Sequence, residues 1–462
     1  FDQNFIDASE NVTIRMNKPT KLGPVIKADK PWEDFRLTSY FTVIQDGHMA
    51  KAYYSCFSVD QWHVDDAWEN HAYLCYAESL DGVHWEKPNL GIVEFEGTKE
   101  NNILMKSVVD GTVFIDPNAA NEKRYKLLHT IGPHKGGLRV SYSADGIHFT
   151  TPDKPVIDWT PDSQQNAFWD DRIGKYVALL RGRPNMNIEY PGGEQRRLVV
   201  RKEFDDIEKP WDPSPPQVVF HADGDDHEEL DFYTNAAINC PYAHDAYFMF
   251  PAAYHHFPPE MGNDGLLDSS IATSRDGIEW ERPDRGPYIS LGLQGEWDSN
   301  FIMVGVGLFQ HDRKLYQYYS GVDLSHGGTR GKPLEERLRM RQWGWLGAVE
   351  QRLDGFFSAD SAYTGGWLTT PRIVFEGARL ELNIDCSAAG MAYVGIQDAE
   401  GQPIPGFTLE DADKIMGNDL AHTVTWGGKS DVSSLAGKPV RLHIDSRSTK
   451  LYAFQFRDGN SE

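Results

Sequence analysis

The same pattern of polar and apolar residues recurs along the first three quarters of the chain. In each copy, an apolar segment that begins with polar residues is followed by a segment rich in aromatic residues. The aromatic-rich segments lie at 52–55, 125–128, 176–179, 247–250 and 316–319, and further apolar segments follow at 73–79, 138–143, 198–201, 270–274 and 345–349. Such short segments between turn residues are typical of β-strands. One small sheet cannot bury both its faces alone, so five units predict radial stacking as a five-bladed β-propeller.

A turn motif recurs between these predicted strands. The order Ser-x-Asp-Gly stands at 79–82, 143–146 and 274–277, an aromatic residue follows three positions after each glycine, and a degenerate copy lies at 204–210. The Asp side chain can accept hydrogen bonds from its own turn, and Gly tolerates a positive φ. We interpret these motifs as structural hairpins rather than as contacts to a ligand.

The pattern changes after Asp354 and Gly355. Apolar and polar residues alternate at 379–384, 392–396, 440–444 and 451–456, with turn residues between the segments. Alternation of this kind predicts strands that are buried on one face, here a C-terminal β-sandwich. We therefore expect an all-β protein with a propeller at 1–355 and a β-sandwich at 356–462, because 462 residues exceed one ordinary core.

Charge and hydropathy exclude several classes of partner. The formal net charge of −24 opposes binding to nucleic acid or to an anionic membrane surface. No run of about 18 apolar residues predicts a membrane span. The chain begins at Phe1 rather than at Met, so we expect that an upstream segment was removed or lies outside this sequence. As a separate expectation, the protein is secreted or periplasmic.

The cysteines and histidines predict no metal site or cofactor. Four cysteines lie far apart without a Cys-x-x-Cys pair: Cys56, Cys75, Cys240 and Cys386. Cys56 and Cys75 stand on consecutive predicted strands and could be bridged, although buried free thiols are the favoured interpretation. The acidic segment 223–226 lacks the remaining ligands of a calcium loop.

Candidate chemistry gathers where the first strand of each predicted blade begins. In a propeller these strands line the central channel, so their openings converge from distant positions in the sequence. The openings lie at 32–36, 114–118, 162–166, 228–233 and 296–300, and each contains at least one carboxylate.

These openings resemble those of the five-bladed glycoside hydrolases, namely family 32, which includes invertase and levanase, and family 43, which acts on arabinan and xylan. The 115–117 segment is similar to the Arg-Asp-Pro motif of the second blade, with Ile115 in place of Arg. The third opening contains Asp162 and three amides where those families have a Glu, and an acid appears instead on the fourth unit, as Glu229 or Asp231.

The resemblance implies cleavage of a glycosidic bond by a protonated and an ionised carboxyl group. We expect Glu33 to be the base or nucleophile, Asp231 the acid, and Asp116 the group that orients sugar hydroxyls. Substrate binding is predicted for Trp32, Arg36, Asp162, Gln164, Gln165, Asn166, Arg181, Arg183, Glu229, Tyr233, Trp297 and Asp298. The aromatic residues among them could stack on a sugar or belong to the core, and the arginines could bind a uronate or sulfate or neutralise nearby acids.

The predicted function is an exo-acting glycosidase that releases terminal sugars from plant or algal poly- and oligosaccharides. Its expected partner is thus a saccharide, with no nucleic acid, membrane or cofactor. A non-catalytic carbohydrate-binding propeller is the alternative, favoured by the missing Glu of the third unit. A phosphorylase related to mannoside-processing propellers is a third hypothesis, for which only the arginines could bind phosphate.

Overall fold

The structure of the protein is a computed structural model, and it describes residues 2–59, 68–131, 136–183, 186, 188, 196–243, 245–328, 332–333, 335–336 and 344–458. The chain divides into a large unit, Pro19–Glu350, and a small unit that combines Phe1–Lys18 with Gln351–Glu462. Strands dominate both units, so the predicted all-β fold class is confirmed. No helix among the described residues is long and apolar enough to span a membrane.

The strands are numbered in chain order. The first ten are β1 (Ala8–Glu10), β2 (Val12–Met16), β3 (Thr20–Ile26), β4 (Arg36–Asp46), β5 (Met49–Phe57), β6 (Ala72–Ser79), β7 (Ile103–Lys106), β8 (Thr112–Ile115), β9 (Tyr125–Thr130) and β10 (Leu138–Ser143). The next ten are β11 (Asn166–Asp170), β12 (Lys175–Arg181), β13 (Val199–Phe204), β14 (Gln217–Phe220), β15 (Leu230–Phe232), β16 (Ile238–Asn239), β17 (Tyr247–Met249), β18 (Ala252–His256), β19 (Gly265–Ser269) and β20 (Ala272–Ser274).

The remaining strands are β21 (Phe301–Val304), β22 (Phe309–His311), β23 (Lys314–Val322), β24 (Trp345–Arg352), β25 (Phe357–Ser361), β26 (Gly366–Thr369), β27 (Arg379–Asp385), β28 (Met391–Asp398), β29 (Asn418–Thr423), β30 (Val440–Arg447) and β31 (Thr449–Arg457). Short 3₁₀ helices lie at Gln3–Phe5, Pro31–Glu33, Trp68–His71, Asn121–Lys123, Pro259–Met261 and Ser433–Leu435.

The first three sheets of the large unit are simple antiparallel meanders. Their strand orders are β4-β5-β6-β7, β10-β9-β8 and β11-β12-β13-β14. Each follows the order of the repeated polar and aromatic segments, because consecutive strands joined by short turns pair most readily. The first strand of each sheet, β4, β8 or β11, lies at one edge. These first strands contact one another, and we call them the inner strands.

The later strands of the large unit do not form one separate sheet for each predicted blade. A small sheet has the order β16-β17-β20, and a larger one has the order β15-β18-β19-β21-β23-β24-β3, with β22 paired to β23. Strand β19 pairs in parallel with β21 at Leu267 and Phe301, which joins what the sequence predicts as two blades. The number of five blades therefore stays a prediction.

The amino-terminal strand β3 completes the last sheet by antiparallel pairing with β24. Lys21 Nζ, on β3, donates to Asp298 Oδ2 at 2.6 Å, and the Tyr319 hydroxyl donates to the same oxygen at 2.9 Å. Segments that lie far apart in the sequence are thus joined by hydrogen bonds to the buried Asp298 carboxylate.

The inner strands neighbour one another. Val113 N donates to Thr42 Oγ1 at 3.2 Å, which joins β8 to β4, and Val43 N donates to Val306 O at 2.9 Å. Gln165 Nε2 donates to Asp110 Oδ2 at 3.0 Å, just before β11 and β8 begin. These inner strands therefore begin at one common face, which we call the strand-start face and define by Thr38, Asp110, 162–166 and 233–235.

The opposite ends of the same strands form a strand-end face, defined by Asp46, Asp116 and Asp170. Each of these carboxylates accepts a hydrogen bond from a tyrosine hydroxyl of the following sheet: Asp46 from Tyr125, Asp116 from Tyr176 at 2.9 Å, and Asp170 from Tyr247 at 2.8 Å. A buried carboxylate needs such partners. The same hydrogen bond, from a tyrosine hydroxyl to a carboxylate, therefore joins each of these sheets to the next.

The Ser-x-Asp-Gly motifs form hairpin turns, as predicted. At the first one, Ser79 Oγ accepts from Gly82 N at 2.9 Å, and Asp81 Oδ1 accepts from Val83 N and His84 N at 2.8 Å each. The turns at 143–148 and 274–279 repeat these bonds. Their glycines have φ values of 78°, 78° and 71°, where a side chain would be strained.

The small unit has two sheets, with the orders β1-β26-β30-β28 and β2-β25-β31-β27-β29. Its core contains fully buried residues of both sheets, among them Leu382 on β27, Val394 on β28 and Leu442 on β30. The predicted boundary differs at the amino end. Residues 1–18 belong to this unit rather than to the propeller of the predicted 1–355 domain, because β1 pairs with β26 and β2 with β25.

Candidate functional site

A pair of arginines holds Asp162 at the strand-start face. Arg181 Nη1 donates to Asp162 Oδ2 at 3.0 Å, and Arg183 Nη1 donates to the same oxygen at 3.2 Å. Asp162 and Ser163 both have positive φ values, 61° and 80°. Two consecutive non-glycine residues in this region are strained, and such strain concentrates at functional sites.

Two guanidinium groups lie over the Tyr233 ring. The Arg181 guanidinium carbon is 4.1 Å from the centre of the Tyr233 ring, and that of Arg197 is 4.7 Å from it. Arg181 Nη2 also donates to the Tyr233 carbonyl oxygen at 3.2 Å. Tyr233 is partly exposed, so a ligand at this face could reach it.

Arg197 also donates a hydrogen bond to a second carboxylate, that of Asp231. Asp231 Oδ2 accepts from Arg197 Nη1 at 3.1 Å and from Arg197 N at 3.2 Å, and His256 Nε2 lies 3.0 Å away. Burial raises the pKa of Asp231, but the His256 hydrogen bond and the Arg197 charge outweigh burial and hold the pKa below its ordinary value. This direction favours an ionised group and does not support the predicted role of Asp231 as the acid.

The loop after β23 brings His326 to Tyr233. His326 Nε2 lies 3.2 Å from the Tyr233 hydroxyl, and His326 Nδ1 lies 3.3 Å from Asn263 O. The ring packs against both Tyr233 and Tyr254, with centroid distances of 5.2 and 5.0 Å. Burial is the main cause that lowers the pKa of His326 to about 4, and the charges of Arg197 and Arg181 add to it.

Two further carboxyl groups, Asp110 before β8 and Asp323 directly after β23, have raised pKa values. Burial raises the pKa of Asp110, whose Oδ1 accepts from Thr130 Oγ1 at 2.7 Å. Burial likewise raises the pKa of the half-buried Asp323. Asp323 Oδ1 is buried and accepts no hydrogen bond from the described part of the chain, and Asn300 Nδ2 holds the Asp323 carbonyl oxygen at 2.6 Å.

Several of these residues escaped the sequence prediction: Asp110, Arg197, His256, Asp323 and His326. A usable signal exists for some of them. Antiparallel pairing places the end of a second strand beside the start of the first, and β12, β18 and β23 end at Arg181, at His256 and directly before Asp323. The ends of the second strands therefore indicate these residues, as the openings of the first strands indicate the acids.

The predicted amides form an internal layer rather than an open binding surface. Gln164 Nε2 donates to Val304 O at 3.2 Å, and Gln164 Oε1 accepts from Ala236 N at 2.6 Å. Asn166 Nδ2 donates to Asn235 Oδ1 at 3.2 Å. Gln164, Gln165 and Asn166 are almost fully buried, so their predicted contact with substrate is not supported.

Glu33 is also absent from this group. It is 0% exposed, its Oε1 accepts from the Tyr54 hydroxyl at 2.7 Å, and its Oε2 accepts from Lys87 Nζ at 2.7 Å. The neighbouring Trp32 donates its Nε1–H to Asn102 Oδ1 at 2.9 Å. Among the described residues Glu33 and Asp231 share no hydrogen-bond partner, and the pairing of these two acids stays a prediction.

Asp116 lies at the wrong end of its strand for the predicted role. Strand β8 runs from Thr112 to Ile115, so Asp116 follows the strand and does not open it. Its oxygens accept from Tyr176 and from Asn118 N at 2.9 and 3.0 Å. The error has a physical reason, because a strand of four residues is too short for its apolar pattern to reveal which end carries the acid.

The other predicted binding residues are also accounted for. The Arg36 guanidinium lies over the Phe57 ring at 5.2 Å, and Glu229 is exposed, with its carbonyl accepting from His256 N at 3.1 Å. Trp297 stacks on Tyr319 with ring centroids 5.3 Å apart. Asp298 accepts from Lys21 and Tyr319 as described above, so Trp297 and Asp298 are packed within the last sheet.

Possible metal ligands and cysteine thiols are the remaining candidate groups. No group of three or more His, Cys, Asp or Glu residues in the described ranges is arranged to hold a metal ion. The four cysteines are buried free thiols, and Cys56 Sγ lies 3.5 Å from Cys75 Sγ. The favoured interpretation of these cysteines is confirmed.

Comparison with known proteins gives similarities to solved structures. No protein-family model matches the sequence, and no curated protein matches it. The chain is similar to an N-acetylgalactosamine deacetylase from F. plautii in complex with blood group B trisaccharide, with 15% identity, a TM-score of 0.48, and coverage of 75% of this chain and 97% of that one.

Two glycoside hydrolases are similar over a larger part of the chain. One is a family 43 arabinoxylan arabinofuranohydrolase from Bacillus subtilis, with 13% identity, a TM-score of 0.40, and coverage of 94% of this chain and 99% of that one. The other is a GH32 β-fructofuranosidase from Bombyx mori, with 11% identity, a TM-score of 0.44, and 94% of each chain covered. None of these similarities assigns an activity or a catalytic residue to this chain.

Proposed function

We propose that the protein is an exo-acting glycoside hydrolase, with a five-bladed propeller as its large unit and a β-sandwich as its small unit. The reaction centre lies at the strand-start face, around Tyr233. Its substrates are the ends of poly- or oligosaccharides, for which we propose plant or algal glycans. Catalysis uses Asp323 as the proton donor and Asp231 as an ionised group.

One observation carries this proposal. Asp231, held by Arg197 beside Tyr233, and Asp323, three residues before the His326 that contacts Tyr233, have pKa values displaced in opposite directions. Glycoside cleavage needs a carboxyl group that is protonated before the reaction and one that is not. Burial raises the pKa of Asp323 and favours its protonated form, whereas the His256 hydrogen bond and the Arg197 charge lower the pKa of Asp231 and favour its ionised form. The surroundings of Asp323 therefore suit a proton donor, and those of Asp231 suit an ionised group.

The proposed chemistry follows from these states. Asp323 donates its proton to the leaving oxygen as the glycosidic bond breaks. The sugar ring then carries positive charge, which the fixed negative charges of Asp231 and Asp162 stabilise. Arg183 has a side chain that is 37% exposed and can hold sugar hydroxyls from the outer side.

The buried amide layer supports exo action. Gln164 joins the start of β11 both to Val304, at the end of β21, and to Ala236, before β16. These buried contacts join the inner strands, and we propose that they close the site on its inner side. A site closed on its inner side accepts a chain end more readily than the middle of a chain.

The test is a screen of aryl glycosides and natural oligosaccharides with product analysis. On the best substrate, Asp231→Asn and Asp323→Asn are each expected to lower kcat/KM by at least about 100-fold. An aryl glycoside with a very acidic leaving group should restore much of the activity of Asp323→Asn, because that leaving group needs no proton.

Asp116→Asn is the matched control. It removes the charge of an equally buried aspartate at the strand-end face and should leave kcat/KM within about twofold of the wild type, since its partners lie away from the reaction centre. Binding of a glycan without any hydrolysis would instead establish the carbohydrate-binding alternative.

A further inference from the structure

The contact between Tyr233 and His326 has the geometry of a nucleophile and its base. The Tyr233 hydroxyl and His326 Nε2 are 3.2 Å apart, and His326 Nδ1 is 3.3 Å from the carbonyl oxygen of Asn263. A carbonyl oxygen can only accept, so Nδ1 carries the hydrogen. In the neutral ring Nε2 is then an acceptor, directed at the Tyr233 hydroxyl.

The loop that carries His326 is held firmly in place. His326 N donates to Gly265 O at 3.0 Å. On either side of His326, Ser325 Oγ and Gly327 N donate to the Asp264 carboxylate at 3.1 and 2.6 Å. A base oriented by a third group and locked by its backbone is the arrangement expected beside an activated nucleophile.

The surroundings of the Tyr233 ring suit the development of negative charge. The guanidinium groups of Arg181 and Arg197 both lie over this ring, and they are held there by Asp162 and Asp231. Positive charge fixed beside the phenol stabilises the phenolate character of an attacking oxygen. Burial and the charges of Arg197 and Arg181 lower the pKa of His326 to about 4, so its ring is neutral near pH 7 and its Nε2 accepts a hydrogen bond from the Tyr233 hydroxyl.

We propose that Tyr233 is the catalytic nucleophile of the hydrolase and that His326 is its general base, an inference that rests on the proposed function. Tyrosine is a known type of nucleophile in covalent glycoside cleavage. Asp162 and Asp231 then act as positioning residues through the arginines that they hold.

The two steps balance as follows. Tyr233 Oη bonds to the anomeric carbon, its proton passes to His326 Nε2, and the bond to the leaving oxygen breaks as that oxygen takes the proton of Asp323. In the second step water attacks the anomeric carbon and gives a proton to the Asp323 carboxylate. The bond to Tyr233 Oη breaks, and Oη recovers its proton from His326.

Two displacements at the same carbon retain the anomeric configuration. On the substrate found in the screen, the product anomer seen first by NMR should therefore match the substrate. A 2-deoxy-2-fluoro glycosyl fluoride of the same sugar should leave a glycosyl group on Tyr233, detected by peptide mass spectrometry. An inverted first product, or a trapped glycosyl group on a carboxylate, would overturn the proposal.

Tyr233→Phe keeps the ring and its contacts with the arginines but removes the oxygen, so kcat should fall by at least about 100-fold. Tyr176→Phe is the control, because it removes a hydroxyl that also bonds across sheets at the strand-end face. Retention of kcat within twofold in Tyr233→Phe would contradict the nucleophile while leaving the glycosidase intact.

A substrate-free measurement separates this proposal from the proposed function. An arylsulfonyl fluoride that modifies activated tyrosines should label Tyr233 in the wild type, and the labelling rate should fall at least tenfold in His326→Gln. If no glycoside is cleaved but the labelling depends on His326, the hydrolase is wrong and the activated tyrosine stands. Equal labelling rates in the two proteins would contradict the pair whatever the activity.

Discussion

The Tyr176 hydroxyl donates a 2.9 Å hydrogen bond to Oδ2 of Asp116 and so joins the third sheet of the large unit to the second. The acceptor is almost fully buried. We expect Tyr176→Phe to lower the free energy of unfolding by about 1.5–3 kcal/mol, the range for a hydrogen bond to a charged group. Urea unfolding measures this loss, and an unchanged midpoint in Tyr176→Phe would show that the bond contributes nothing.

The ion pair of Glu33 and Lys87 provides a second prediction. Lys87 Nζ lies 2.7 Å from Glu33 Oε2, and the two side chains are 9% and 0% exposed. Lys87→Met should therefore lower the free energy of unfolding by about 3–5 kcal/mol, because it leaves an uncompensated buried carboxylate. The double variant with Glu33→Gln should recover part of the loss. Lys209→Met, at an exposed pair, is the control and should leave the unfolding curve unchanged.

The glycine of a turn motif should tolerate substitution less well than a glycine of similar φ elsewhere. At Gly146 a Cβ would lie 2.5 Å from the Tyr53 hydroxyl, whereas at Gly47 it would meet nothing within 4 Å. Gly47→Ala should cost about 1–2 kcal/mol from backbone strain alone. Gly146→Ala should cost at least about 1 kcal/mol more, because the tyrosine must move. Equal losses in thermal unfolding would contradict the predicted contact.

The pH profile of kcat/KM follows from the directions of two pKa shifts. The proposed proton donor, Asp323, has a raised pKa, so we expect glycosidase activity below that pKa and its loss as pH rises through it. The alkaline limb should thus lie above the ordinary range of a carboxyl group. On the acid side, His326 takes a proton near pH 4 and can no longer accept one from Tyr233, so activity should fall there.

Substitution distinguishes the two limbs of that profile. With a substrate that has an acidic leaving group, Asp323→Asn should lose the alkaline limb and keep the acid limb. An alkaline limb that persists unchanged in Asp323→Asn would assign it to another group and contradict the proposed proton donor.

The sequence determined the elements of the large unit well, because their causes are local. The turn motifs specify their own hydrogen bonds, as Ser79 and Asp81 show, and the apolar segments pair in chain order. Asp162, Arg181 and Tyr233, which the sequence analysis assigned to substrate binding, lie together at one face. Their contact with a substrate stays a prediction.

The tertiary structure alone decided which carboxyl groups face each other and in which state. Glu33 and Asp116 look like Asp231 in sequence, but Lys87 and Tyr176 arrive from distant segments and bury them elsewhere. Likewise, His326 contacts Tyr233, which lies 93 positions away in the sequence. Strands β1 and β2 belong to the small unit, although the large unit follows them in the chain. Charge state and hydrogen-bond partner depend on neighbours in space, and no local pattern of polar and apolar residues carries that information.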